Sequence, residues 1–106
     1  MNLLKQPIYR NPALLKLAKD APICFWCDSP NDGTVVSCHS NSQSDGKGMG
    51  RKASDAAIFA GCAKCHRDYD SGMQSRLWKQ AKFNEAHMKT MRWLIESGNL
   101  VVKVER

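Results

Sequence analysis

No stretch of this chain approaches the roughly 20 consecutive apolar residues that a membrane-spanning helix requires, so no membrane partner is expected. The first residues also lack an apolar segment of leader length, because Lys5, Gln6 and Pro7 interrupt Leu3 and Leu4. The expected location is therefore cytoplasmic. There is no internal repeat. Acidic residues are scarce: 10 Asp and Glu face 16 Lys and Arg, leaving a net charge of +6. A basic surplus of that size favours a polyanionic partner, of which nucleic acid is the commonest. Between Ser40 and Lys52 almost nothing is apolar except Met49, while Gly46, Gly48 and Gly50 alternate. That segment cannot bury itself and is expected to be mobile unless a ligand orders it. An even cysteine count is missing too. Five cysteines fit four ligands and one spare better than a disulfide framework.

What is present makes one small domain over residues 1–106, with 42% hydrophobic and 25% charged residues. A core of this size would gain from a metal staple. The expected fold class is α+β: an extended arm over 1–10, a short N-terminal helix, a stapled core over about 22–72, and a long C-terminal helix over 75–97. Asn11 and Pro12 are a helix start, and Pro22 stops that helix near Asp20. Strand character begins at Thr34, Val35 and Val36. The apolar run 56–60 reads as a second strand, although a helical turn capped by Ser54 is open. In the long helix, Trp78, Ala81, Met88, Met91, Leu94 and Ile95 form an apolar stripe expected to face the core, with Gly98 as C-cap. His87 reads as structural. The tail from Leu100 to Val104 could add an edge strand or pack across the core.

The chemistry concentrates between two Cys-x-x-Cys pairs. Cys24 with Cys27, and Cys62 with Cys65, each present two thiolates from one tight turn, and together they make the tetrahedral sulfur set of a structural zinc site. Cys38 reads as a half-buried strand residue rather than a ligand. Cys62 to His66 also matches the C-x-x-C-H haem attachment pattern, but that reading leaves Cys24 and Cys27 without a role. His39 leaves a strand and enters the polar loop, where it is a candidate general base toward water. His66 and Asp70, spaced i and i+4 on one helix face, are candidate ligands of a divalent cation, Mg²⁺ or Mn²⁺, that would bind a scissile phosphate. Asp55 could orient His39 or simply cap the second strand. Lys47, Arg51 and Lys52 among the glycines form a flexible basic loop suited to phosphates.

The leading helix, Cys24, the VVSCHS segment, GKGMGRKASD and the GCAKCHRDYD block together resemble the small phage and prophage HNH-type nucleases, the YbcO-like family. The resemblance runs from Asn11 to Gly72 and extends toward the C-terminal helix. It implies a ββα-metal (His-Me finger, HNH-like) core with added helices, and metal-dependent cleavage of DNA. Two positions depart from the pattern. Cys38 stands before the histidine, where HNH motifs often carry an acidic ligand, and Asp55 or Ser54 stands at the middle Asn or His. The alternative is a non-catalytic, zinc-stapled DNA-binding or adaptor module.

Overall fold

The structure is a computed structural model that describes residues 8–48 and 50–104; most of the expected arm over 1–10, and Met49, lie outside the described residues. Among those described, three helices and one two-stranded antiparallel sheet make a small α+β fold. Helix α1, Pro12–Leu17, starts where the Asn11 side chain accepts from the Leu14 amide at 3.1 Å, and Pro12 needs no partner for an N–H it lacks. A 3-10 turn, Ala18–Asp20, prolongs it until the chain must straighten ahead of Pro22. Leu14 and Ala18 are buried, while Lys16 and Lys19 face away from the core.

Strand β1, Val36–His39, pairs with β2, Ile58–Gly61, in the register Val36↔Gly61 to His39↔Ile58. Both strands begin two residues later than their β-branched or apolar runs suggest. Thr34 is engaged elsewhere: Asp32 Oδ1 accepts from its amide at 2.9 Å, and its own Oγ1 accepts from the Ala63 amide at 3.0 Å. Ala57 closes a turn onto the Ser54 carbonyl at 3.0 Å, which keeps Ala56 and Ala57 out of the strand. All four residues of β2 are buried, so the run shows no apolar–polar alternation. Gly61 admits no side chain, since a Cβ there would lie 2.4 Å from the Phe59 ring. The loop between the strands is not featureless. It contains a 3-10 turn, Gln43–Asp45, with the Ser40 hydroxyl donating to Asp45 at 2.6 Å and the Ser54 amide to the Asp45 carbonyl at 2.8 Å.

Helix α2, Ala63–Ser71, follows β2 directly, and helix α3, Arg76–Glu96, is capped by Ser75, whose side chain accepts from the Trp78 amide. The core-facing stripe of α3 differs from the expected one. Phe83, Ala86, Thr90 and Leu94 are buried, whereas Trp78, Met88 and Ile95 are about half or more exposed, at 46%, 66% and 49%, and Ala81 is exposed too. Of the expected six, Leu94 is buried and Met91 partly so. The reason lies in β2, whose free edge needs hydrogen-bond partners. Thr90 Oγ1 accepts from the Ala60 amide at 3.0 Å and donates to the Ala86 carbonyl at 2.8 Å, while His87 Nδ1 donates to the Ile58 carbonyl at 2.7 Å. Hydrophobicity ranks Met and Ile above Thr and His, but an unpaired strand edge costs more than a buried methyl group gains.

Trp26, Phe59, Tyr69 and Phe83 form the aromatic centre, with ring centroids 5.0 Å (Trp26–Phe59) to 5.7 Å (Phe59–Phe83) apart. A second apolar cluster joins Leu14, Ile58 and Leu94. Gly98, at φ 79°, turns the chain out of α3. Beyond it, the tail forms no strand. Leu100 packs on the second cluster, and Val101, Val102 and Val104 are exposed.

Candidate functional site

The knuckle that carries the first thiol pair is a tight turn set by its backbone. Ile23 bridges to Pro30, the Cys24 amide donates to the Ser29 carbonyl at 2.9 Å, and Asp28 adopts φ 61° with its amide on the Cys24 carbonyl at 2.7 Å. The second pair sits where β2 becomes α2, with Cys62 at the N-cap and Cys65 in the first turn. The Phe25 amide donates to the Ala60 carbonyl at 2.9 Å and so ties the knuckle to the strand that leads to Cys62. As a result the sulfurs of Cys24, Cys27, Cys62 and Cys65 all lie within 4.8 Å of one another. In a tetrahedral zinc–thiolate site, bonds of about 2.3 Å put the sulfurs roughly 3.8 Å apart. The four thiols therefore need to close by about an ångström at most, and the group could hold a metal ion such as zinc. Burial pushes the Cys24 and Cys65 thiols up, whereas the Ser29 side chain draws the exposed Cys27 thiol down to about 7. Cys38 is buried on β1 and stands apart from the four, with burial pushing its thiol up. It is fully rather than half buried.

The second feature is an open cleft of about 440 Å³ beside the hairpin. His39 ends β1 on its floor, and His66 and Asp70 project from α2 onto one wall, with His66 Nε2 3.2 Å from an Asp70 carboxylate oxygen. Lys47 and Lys52 enter from the loop between the strands, Lys16 from α1 and Lys19 from the 3-10 turn that prolongs it. Arg51 is not among the lining residues; its Nε donates to the Gly46 carbonyl at 3.2 Å instead. Tyr69, buried on α2, holds the rim: its hydroxyl accepts from the Asn41 amide at 2.8 Å.

Asp55 lies behind His39. It is buried, its Oδ1 stands 2.8 Å from His39 Nε2 and 3.3 Å from Arg10 Nη1, and its Oδ2 accepts from the Asn11 amide at 2.7 Å. Burial alone would raise its carboxyl, but the hydrogen bonds of His39 and Asn11, with the charge of Arg10, outweigh that and hold it below the usual carboxylate value. An ionised carboxylate only accepts, so His39 Nε2 carries the hydrogen and Nδ1 is left as the ring's lone-pair nitrogen. Arg10 also donates to the Lys52 carbonyl at 2.8 Å, which clips the basic loop to the same carboxylate.

Four of the sequence-derived candidates thus converge: His39 with Asp55, and His66 with Asp70. Arg10, Asn11, Lys16, Lys19 and Tyr69 were not singled out. Lys16 and Lys19 had a visible signal, a basic edge at i and i+3 on an amphipathic helix. Arg10 and Asn11 had none, because their role depends on a contact some 45 positions away. Among the described residues, the four thiols are the one group of three or more His, Cys, Asp or Glu side chains close enough to share an ion; His66 and Asp70 make a pair. No helix among the described residues is long and apolar enough to cross a membrane. In comparisons with known protein families, curated proteins and solved structures, none matched the chain.

Proposed function

We propose that the chain is a metal-dependent DNA endonuclease built on an HNH-like ββα-metal core, with the four paired cysteines holding a structural zinc ion. The observation that carries the reading is the cleft itself: a histidine whose free nitrogen is Nδ1, a His–Asp pair on the helix that follows the hairpin, and four lysines share one cavity of about 440 Å³. The order strand, strand, helix supports this reading, with His66 and Asp70 on the helix that follows the hairpin.

His39 Nδ1 accepts a proton from the attacking water, and Asp55 holds the ring in the tautomer that allows it and offsets the positive charge that results. His66 and Asp70 would offer a nitrogen and a carboxylate oxygen to a divalent cation, and both side chains are open to solvent. When bound, Mg²⁺ or Mn²⁺ supplies Lewis-acid stabilisation of the scissile phosphate. Lys16, Lys19, Lys47 and Lys52 attract and position the DNA backbone.

Incubation of supercoiled plasmid with the purified protein and Mg²⁺ or Mn²⁺ tests this. Wild type should nick or linearise it, and His39→Ala should lose about 10²–10⁴-fold in rate while keeping its fold and DNA affinity. Wild-type protein that leaves plasmid intact with either cation, or His39→Ala that cuts as well as wild type, overturns the reading in favour of a zinc-stapled DNA-binding module.

A further inference from the structure

Asn41 lines the cleft at His39. That residue also forms part of the wall of a second cavity, about 620 Å³, which runs from the polar loop to the start of α3. Ser42, Gln74, Arg76 and Lys79 line it, and Tyr69 closes its inner end beneath the Asn41 backbone. The lining is polar and basic, with no carboxylate in it. Ion pairing sorts the basic side chains without selecting these alone, since Arg51, Arg67, Lys82 and Lys103 are likewise without a carboxylate within 4.0 Å among the described residues. Lys64, Lys89 and Arg92 are each matched to a carboxylate on the surface, and Arg10 to the buried Asp55. Arg76 and Lys79, like the four lysines of the first cleft, have no carboxylate within 4.0 Å among the described residues. Unneutralised cations gathered in two cavities that share a wall residue are costly to the protein alone and are suited to phosphates. Hydroxyl and amide side chains beside them donate to phosphate oxygens without reading sequence. The cavity offers no exposed ring on which a base could stack, since Tyr69 is buried, so it fits a sugar–phosphate backbone rather than splayed bases.

We propose that this second cavity is a backbone-binding subsite, in which Arg76 and Lys79 hold phosphates of the DNA flanking the bond at His39. The inference rests on the nuclease reading and extends it, giving the substrate a path from α1 past His39 to the start of α3. A single-site cutter would thereby engage several nucleotides to one side of the scissile bond.

The test is fluorescence anisotropy with a labelled 20-base-pair DNA duplex, and with the corresponding single strand, at several salt concentrations in Ca²⁺. Each phosphate contact contributes about 0.9 to the salt slope. Arg76→Gln/Lys79→Gln should therefore lower the slope by about two and weaken duplex binding at 0.1 M salt by at least about tenfold. The charge-conserving Arg76→Lys/Lys79→Arg should keep the wild-type slope. Arg92→Gln/Lys103→Gln, which removes the same charge elsewhere, should change the slope by less than about one. Equal slopes for the Arg76/Lys79 variant and wild type, in a protein that still cuts plasmid, overturn the subsite and leave the nuclease standing. An equal effect from the Arg92/Lys103 control overturns it as well, because overall charge would then explain the binding. Wild type that neither binds nor cuts DNA overturns both. A single strand bound more tightly than the duplex, with its excess affinity lost in Arg76→Gln/Lys79→Gln, overturns the backbone assignment in favour of base contacts.

Discussion

Replacing Asp55 by Asn exchanges one carboxylate oxygen for an NH₂ group and should separate the two things this carboxylate does. Asp55 is buried and receives the His39 ring, the Asn11 amide and the Arg10 guanidinium. Hydrogen bonds to a charged group are worth about 1.5–3 kcal/mol each. An asparagine keeps one accepting oxygen and turns an NH₂ toward one of the former donors. If the oxygen stays with the Asn11 amide, the NH₂ faces His39 and forces the hydrogen onto Nδ1, which removes the lone pair the proposed base needs. Cleavage should then fall by about 10²–10⁴-fold. Stability should fall by about 1–3 kcal/mol, which for a chain of this size lowers Tm by about 4–20 °C. The pH dependence gives a second readout. The carboxyl is held below its usual 3.8 in the folded state. Its stabilisation is therefore complete above that value and lost as pH falls through the depressed one. Wild type should lose stability more steeply than Asp55→Asn as the pH falls below the usual carboxylate value of 3.8. Plasmid cleavage rates near neutral pH measure the first effect, and thermal melts at acid pH the second. Asp55→Asn that cuts at the wild-type rate would refute the orienting role. Melts with the same pH slope would refute the buried ion pairing.

The thiol cluster predicts that cleanly purified, reduced protein carries about one zinc ion per chain by elemental analysis. Cys62→Ser should lose the ion and lower Tm by about 10 °C or more, because an incomplete site forfeits binding energy that is also folding energy; unchanged melts in Cys62→Ser and in a strong chelator would remove the staple. Thr90→Val keeps the shape of a fully buried side chain but strands the Ala60 amide. It should cost about 1–3 kcal/mol by denaturant melt, whereas Met88→Thr on the exposed side of α3 should change stability by less than about 0.5 kcal/mol.

Much of the site was legible because its signals are local. Two Cys-x-x-Cys turns announce four convergent thiols before any contact is known, since each pair needs only its own knuckle to aim its sulfurs. His66 and Asp70 follow from helical spacing alone. The strand–loop–strand–helix order follows from β-branched and apolar runs broken by glycine and proline. Asp55 was legible only as one of two alternatives, because a lone carboxylate at the edge of an apolar run looks the same whether it caps a strand or orients a histidine.

Tertiary structure decided the rest. Two stripes compete on α3. The one with more hydrophobic residues lost, because β2 turns toward α3 an Ala60 amide and an Ile58 carbonyl, which Thr90 and His87 satisfy. Which basic residues share a wall was decided in the same way: six of them, from α1 and its 3-10 turn, the loop and α3, line two cavities that have Asn41 in common, and none has a carboxylate beside it among the described residues. The sequence by itself determined the elements and the chemically equipped side chains, because spacing and backbone preference act over a few residues. The folded chain alone determined which of them share a cavity, because burial and hydrogen-bond satisfaction are settled between residues far apart along it.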